Sequence, residues 1–251
     1  MTVIATLVSF RPSQTAVPRD IGFFEWFFDA GTWTGDTGIL ASLLDTVILC
    51  AAATFVAAIV AIPVAAVLAH LRRAEVSSTW LVSISRAVPT FAIAALLVPW
   101  SLRRGWGFEP WPIFIALLLL ALVPIYLITY TAIRQLPDGP VDAARALGYS
   151  ERSVLAKVEL ALASSLIFSG VRVAAIQVVA TEPIRAFLGG DGLGRYVRDG
   201  FGQNNNTLVI GGIVLIGGLA ALTGLIFVAL ERLVLPNGVR RLARQQGDRS
   251  P

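Results

Sequence analysis

The chain has 251 residues, of which 56% are hydrophobic and 14% charged, against roughly a quarter charged in an ordinary soluble domain. With a mean hydropathy of +0.74 it cannot cover itself with polar surface, which excludes a soluble globular fold and places most of it in lipid. One cysteine, Cys50, and one histidine, His70, exclude an intramolecular disulfide and leave too few ligands for a His/Cys metal site. The net charge of +4 is carried by 19 arginines and a single lysine. They sit at the ends of apolar runs, a pattern of membrane topology rather than of nucleic-acid binding.

Residues 1–35 read as an extracytoplasmic or interfacial segment. Met1 to Phe10 is apolar but has no positive n-region and is too short to span, so it is not read as a signal peptide. Phe23, Phe24, Trp26, Phe27, Phe28 and Trp33 alternate with Glu25 and Asp29, a mixture suited to the headgroup zone. Residues 36–236 read as the transmembrane domain, all-α, with about five spans. The first is placed at 46–70, starting after Asp45 and containing Pro63; the second at 77–101, with Arg86, Pro89 and Pro99; the third at 112–133, with Pro124; the fourth at 162–181; the fifth at 207–230. In the last, Gly217/Ala221 and Ala220/Gly224 are small residues four apart that permit close helix contact. Residues 237–251 form a basic tail.

Five spans put the chain's ends on opposite sides. Arg72, Arg73, Arg134, Arg145, Arg152, Lys157, Arg232, Arg240, Arg241, Arg244 and Arg249 fall on one side, eleven charges. Arg11, Arg19, Arg103, Arg104, Arg185, Arg195 and Arg198 fall on the other, seven charges. The positive-inside rule therefore predicts a cytoplasmic C-terminus and a cytoplasmic loop between spans three and four.

That loop, from Gly139 to Ala161, is the most informative stretch. Asp138-Gly139-Pro140 predicts a turn with Pro140 at the first helical position and Asp142 in the first turn. Val141 to Leu147 predicts two helical turns, stopped at Gly148. Ser150 is expected to cap a second helix, with Glu151 in its first turn, running to about Leu160. Ala143 and Ala144 leave one flank slim enough to enter a groove on a partner. These features fit a docking element and an ordinary connecting loop equally well.

Register separates the two. Asp142-Ala143-Ala144, three residues, Gly148, nine residues, then Val158-Glu159-Leu160 resembles the cytoplasmic loop motif of ABC-importer permeases, Glu-Ala-Ala-x3-Gly-x9-Ile-x-Leu-Pro. Asp142 stands for Glu, Val158 for Ile, and Ala161 for the usual Pro, a change that would soften the link to the fourth span. The resemblance implies a coupling helix that sits in a cleft of a separate ATP-binding cassette ATPase subunit, with Val141, Asp142, Ala143, Ala144, Leu147, Gly148, Glu159 and Leu160 in the docking segment. The blocks 31–39, 61–73, 86–99, 129–136, 169–181 and 189–200 further resemble permeases of the glycine betaine/carnitine/choline branch. Membership would imply a bacterial inner-membrane permease with no cofactor of its own, ATP being used by the partner. It would also imply a second permease subunit, same or homologous, and an extracytoplasmic substrate-binding protein bearing an aromatic cage for a quaternary ammonium. Permeases for other small solutes, of amino-acid or phosphonate type, belong to the same superfamily.

No catalytic set is apparent; Asp138, Asp142 and Glu159 are accounted for by helix termini and docking, and His70 as a basic interfacial residue. Gly189-Gly190-Asp191-Gly192-Leu193-Gly194 is no phosphate loop, since no Gly-Lys-Ser/Thr follows and no strand precedes it. It predicts a tight turn before a short helix, Arg195 to Gly202. Candidate pathway or gate residues are Arg86, Thr90, Arg172, Gln177, Glu182, Gly192 and Gly194. Arg86 and Arg172 lie within spans, where a charge must be paired or reach water; Glu182 is either a surface carboxylate or an acid that attracts a cation. An ion-coupled secondary transporter is the reading from another class. It calls for midplane carboxylates and an inverted repeat, and the sequence displays neither.

Overall fold

The computed structural model describes residues 21–35, 38–72, 89–108 and 110–234, which are helical with no strand among them. In chain order the elements are α1 (Phe23–Phe28), α2 (Ala30–Trp33), α3 (Ile39–His70), α4 (Thr90–Arg103), α5 (Trp111–Arg134), α6 (Asp138–Ala146), α7 (Glu151–Val154), a π-helical turn (Leu155–Glu159), α8 (Leu160–Thr181), α9 (Ile184–Phe187), α10 (Gly194–Gln203) and α11 (Asn206–Val234).

Among the described residues, four helices are long and apolar enough to cross a membrane: α3, α5, the helix containing α8, and α11. In hydrocarbon every backbone amide must find its partner within the segment, which keeps these helices continuous through Pro63 in α3 and Pro124 in α5. For the same reason α3 starts at Ile39, seven residues before the expected 46. Asp45 does not stop it, because its side chain is only half exposed and makes a polar or electrostatic contact. The third and fifth spans lie within two residues of their expected starts; the fourth, expected at 162–181, lies inside a longer helix that runs from Glu151 to Phe187. The second is seen as α4, fourteen residues, about 21 Å of helix. It extends two residues beyond the expected end, and 77–88, including Arg86, lies outside the described residues.

The described residues form two compact units. One comprises those within 1–53, 88–118 and 176–222; the other comprises those within 54–87, 119–175 and 223–251. In the first, α1 is not merely an interfacial anchor. Phe24 and Phe28 are exposed, but Trp26 is 3% exposed and meets Tyr196 edge-on, ring centroids 5.6 Å apart. The indole lies where any side chain on Gly211 would project, so Gly211 is required for this packing. Gly212 likewise makes room for Val197 and Tyr196 of α10. Thr207 Oγ1 donates to the Ile21 carbonyl at 2.8 Å, fastening the segment before α1 to α11. The small residues expected to matter in the last span were Gly217, Ala220, Ala221 and Gly224. Within this chain, close contacts are made at Gly211 and Gly212, while a side chain at Gly217 would meet nothing within 4 Å.

In the second unit the core is built on small residues. Ala65, Ala66 and Ala69 of α3 pack with Tyr130, Ala132 and Ile133 of α5 and with Ala163 and Ile167 of α8. A side chain on Gly170 would press on Ile128 Cβ at 3.0 Å, the close approach that small residues allow between membrane helices. Arg172 of α8 sits 3.5 Å from Glu231 of α11, whose other oxygen accepts from Ser165 at 3.1 Å. Of the expectations for Arg172, a structural ion pair is what the geometry displays.

Candidate functional site

α6 begins at Asp138, after Pro137 in an extended conformation. Pro140 is therefore the third helical residue, not the first. The difference costs nothing, because the first turn has no intrahelical acceptors for its N–H groups and a missing donor at the third position is tolerated. The far end matches the expectation at Gly148. Leu147 closes the helix, and Gly148 adopts φ +82°. Its N–H donates to the Arg145 carbonyl at 2.9 Å, while the Tyr149 N–H reaches back to Ala144 at 3.1 Å. This paired arrangement is a Schellman motif, and its left-handed residue strongly favours glycine. Ser150 occupies the N-cap position of α7 without a side-chain capping bond; its hydroxyl bonds Ser153 Oγ at 3.1 Å instead.

The second helix does not end near Leu160. α7 runs through the π turn directly into α8, and Ala161 lies inside α8, where alanine offers no reason to break. π turns insert one extra residue into a helix and occur often at functional positions.

The two faces of α6 differ. Val141 and Ala144 are buried against Val154, with Val158 packed beside them. Ala143, expected to share the slim flank with Ala144, is exposed along with Asp142 and Gly148. Leu147 is 79% exposed, and Tyr149 beside it is also open. Exposure of a large apolar side chain on a polar segment is the feature a partner surface would cover.

Polar contacts hold this segment, some exposed and one covered. Arg145 donates from Nε to Glu151 Oε1 and from the guanidinium Nη2 to Oε2, both at 3.0 Å, a bidentate pair. Arg145 also lies 3.5 Å from Asp142. Glu159 corrects the sequence reading: it is buried and points at His70, Nδ1 to Oε2 2.9 Å, so it is not part of an exposed docking face. His70, half-buried at the end of α3, is correspondingly a paired residue. Leu160 is half-buried and packs on the small-residue core of the second unit.

In the first unit the pathway candidates separate. Thr90 opens α4 and is half-buried; Gln177 on α8 is exposed. Glu182 is the clearest correction. It is 0% exposed, 3.3 Å from Arg185 NH1, and accepts from Thr46 Oγ1 at 3.2 Å. A surface carboxylate is thus excluded. A buried acid is stable only with such partners, and Thr46 in turn accepts the Leu193 N–H at 3.0 Å. Gly192 closes over this cluster with φ +91°; a Cβ there would lie 2.7 Å from Glu182 Oε1 and 2.8 Å from Thr46 Oγ1. Gly194 starts α10 against the backbone of Pro183, again with no room for a side chain. The glycine-rich loop is the expected tight turn, ahead of a helix at Gly194–Gln203. It also covers a polar knot, which the sequence reading missed. The Glu182–Arg185 spacing of three was visible, but Thr46 is 136 positions away.

The chain matches the family model for the binding-protein-dependent transport system inner membrane component over residues 58–238. It is 28% identical to the choline transport system permease protein OpuBB of Bacillus subtilis strain 168 over 190 residues, 76% of this chain and 85% of that protein. It is 30% identical to the choline permease protein OpuBD of the same strain over 181 residues, 72% of this chain and 78% of that protein. The osmoprotectant import permease protein OsmW of Salmonella typhimurium is 28% identical over 206 residues, 82% of this chain and 96% of that protein. An inward-facing structure of the MetNI methionine ABC transporter superposes with a TM-score of 0.68 at 19% identity, over 79% of this chain and 96% of that one, a likeness of fold alone. The matched stretch contains the whole segment from Asp138 to Ala161. The chain belongs to the binding-protein-dependent transport system inner membrane components, the permease subunits of ABC importers.

Proposed function

We propose that this permease carries a small compatible solute with a quaternary ammonium group, of the glycine betaine, carnitine or choline kind, and that α6 is its coupling helix. The observation that carries the second part is the open face of α6, with Leu147 79% exposed on a helix whose other face is anchored to Val154. Such an element is held rigidly and is free to enter a partner's groove. The partner is an ATP-binding cassette ATPase on the cytoplasmic side, where eleven of the loop and tail charges collect. This chain binds no nucleotide; the ATPase hydrolyses ATP, and its closure draws the coupling helices together to turn the path from inward- to outward-facing. A second permease subunit completes the path. An extracytoplasmic binding protein delivers the solute, with an aromatic cage as the physical basis of selection. The solute class rests on the choline and osmoprotectant relatives.

The test is uptake by proteoliposomes containing this permease, its ATPase and its binding protein. Labelled choline, carnitine and glycine betaine are offered beside methionine and a phosphonate. The expected result is ATP-dependent uptake of at least one quaternary ammonium solute, unaffected by ionophores. Uptake confined to methionine or the phosphonate would refute the solute class. Uptake without ATP that collapses with the ion gradient would refute the ABC mechanism in favour of a secondary transporter.

A further inference from the structure

The chain itself ties α6 to α5, through 135–137, and to α8, through α7 and the π turn. α3 is not adjacent to α6 in the chain; side chains link the two non-covalently. Arg72, just past α3, lies 3.2 Å from Asp138, the first residue of α6, but the two side chains are 69% and 79% exposed. Such a pair holds weakly in water. His70, the last residue of α3, makes the covered contact. Its Nδ1 lies 2.9 Å from Glu159 Oε2, and the side chains are only 10% and 8% exposed. Its Nε2 lies 3.2 Å from Glu151 Oε2, and Glu151 holds Arg145 of α6 through both oxygens. An unbroken polar chain therefore runs from Arg145 on α6, through Glu151 on α7 and His70 on α3, to Glu159 in the π turn. Carboxylate oxygens of Glu159 and Glu151 thus face the two ring nitrogens of His70. Hydrogen bonds to a carboxylate are short and geometrically specific, so the two contacts fix the ring against both α7 and the π turn.

We propose that His70 is a positioning residue for energy coupling: it carries movement of α6 to the end of α3, so that α3 follows α8 and α5 during the switch. The proposal rests on α6 being the coupling helix and adds a transmission route outside the loop motif. It also gives buried Glu159 a role that docking does not explain.

The test uses the whole complex in proteoliposomes and reads ATP hydrolysed per solute imported. His70→Ala is expected to raise that ratio about fivefold or more, the range of a typical coupling energy, with ATP hydrolysis held within about twofold. His70→Gln retains a donor toward Glu159 and is expected to stay near the parent ratio. Adding Glu159→Gln to His70→Ala is expected to bring no further rise, as for residues acting through one contact. An unchanged ratio in His70→Ala would overturn the proposal. So would ATP hydrolysis and uptake falling in proportion, which is what loss of mere structural support produces. If His70→Ala does not assemble, Glu159→Ala is read by the same criterion. A separate variant, Leu147→Asp, tests docking: it is expected to abolish co-purification of the ATPase. Failure there overturns the coupling-helix reading, whereas an unchanged His70→Ala ratio beside a normal Leu147→Asp result overturns the His70 route alone.

Discussion

A Gly148→Val chain is expected to insert and assemble normally, yet to lose roughly tenfold or more of its uptake per ATP hydrolysed. The reason is local. Gly148 sits at φ +82°, and no atom lies within 4 Å of the place a Cβ would occupy, so the substitution meets no steric wall. What it meets is the left-handed backbone, which costs an L-residue about 1–2 kcal/mol and a β-branched one more. Relieving that strain means unwinding the Schellman closure formed by the Gly148 and Tyr149 amides. The angle between α6 and α7 then becomes variable. A bias of about 1.4 kcal/mol already shifts a population tenfold, and the affected population is the one in which α6 is correctly presented. The small-residue core of the same unit is built from α3, α5 and α8 and does not include Gly148, so insertion is expected to be unaffected. Parallel assays of ATP hydrolysis and uptake on the reconstituted complex decide it. Uptake per ATP equal to that of the parent would mean that the bend at Gly148 is immaterial.

A second large effect is expected at Glu182. Glu182→Leu removes the carboxylate that faces Arg185, whose side chain is 6% exposed, and deprives Thr46 of its acceptor. Removing one member of a buried pair costs about 3–5 kcal/mol, whereas replacing both by apolar groups is often nearly neutral. Thermal unfolding in detergent is therefore expected to drop by about 6–20 °C for the single variant, at about 2–4 °C per kcal/mol. Glu182→Leu combined with Arg185→Met is expected to recover at least half of the loss. A double variant less stable than either single one would show that the pair is not the source of the stability.

Much of this was legible in the sequence, for identifiable reasons. Hydropathy over twenty-residue windows located the long helices because lipid enforces helical hydrogen bonding, whatever the local propensity. The stop at Gly148 was visible because a left-handed cap strongly favours glycine. Local chemistry failed where a second solution was available. Ser150 was a good cap by type, yet its hydroxyl found Ser153. Pro140 fitted the first helical position, yet Pro137 allowed the helix to start earlier. The larger misses are long-range. Glu159 and Glu182 are charged residues in polar stretches, which reads as surface. Each is buried because a partner arrives from far along the chain: His70, 89 positions away, and Thr46, 136 positions away. Trp26 was read as an interfacial ring for the same reason, since neither Tyr196 nor Gly211 is near it in sequence. Pairing of this kind has no signature in one sequence, beyond the oddity of an acid beside a membrane span.

The central claim is that α6 docks to the ATPase, and its most direct test is contact. The native cysteine, Cys50, is buried, so Leu147→Cys gives one accessible thiol on the outer face of α6. With a short bifunctional thiol reagent and an ATPase carrying a single cysteine in its groove, Leu147→Cys is expected to cross-link to the ATPase in membranes. The yield is expected to change when ATP is trapped before hydrolysis. A thiol at 147 that labels from the extracellular side of intact cells, or that never joins the ATPase while the complex still transports, would contradict the account.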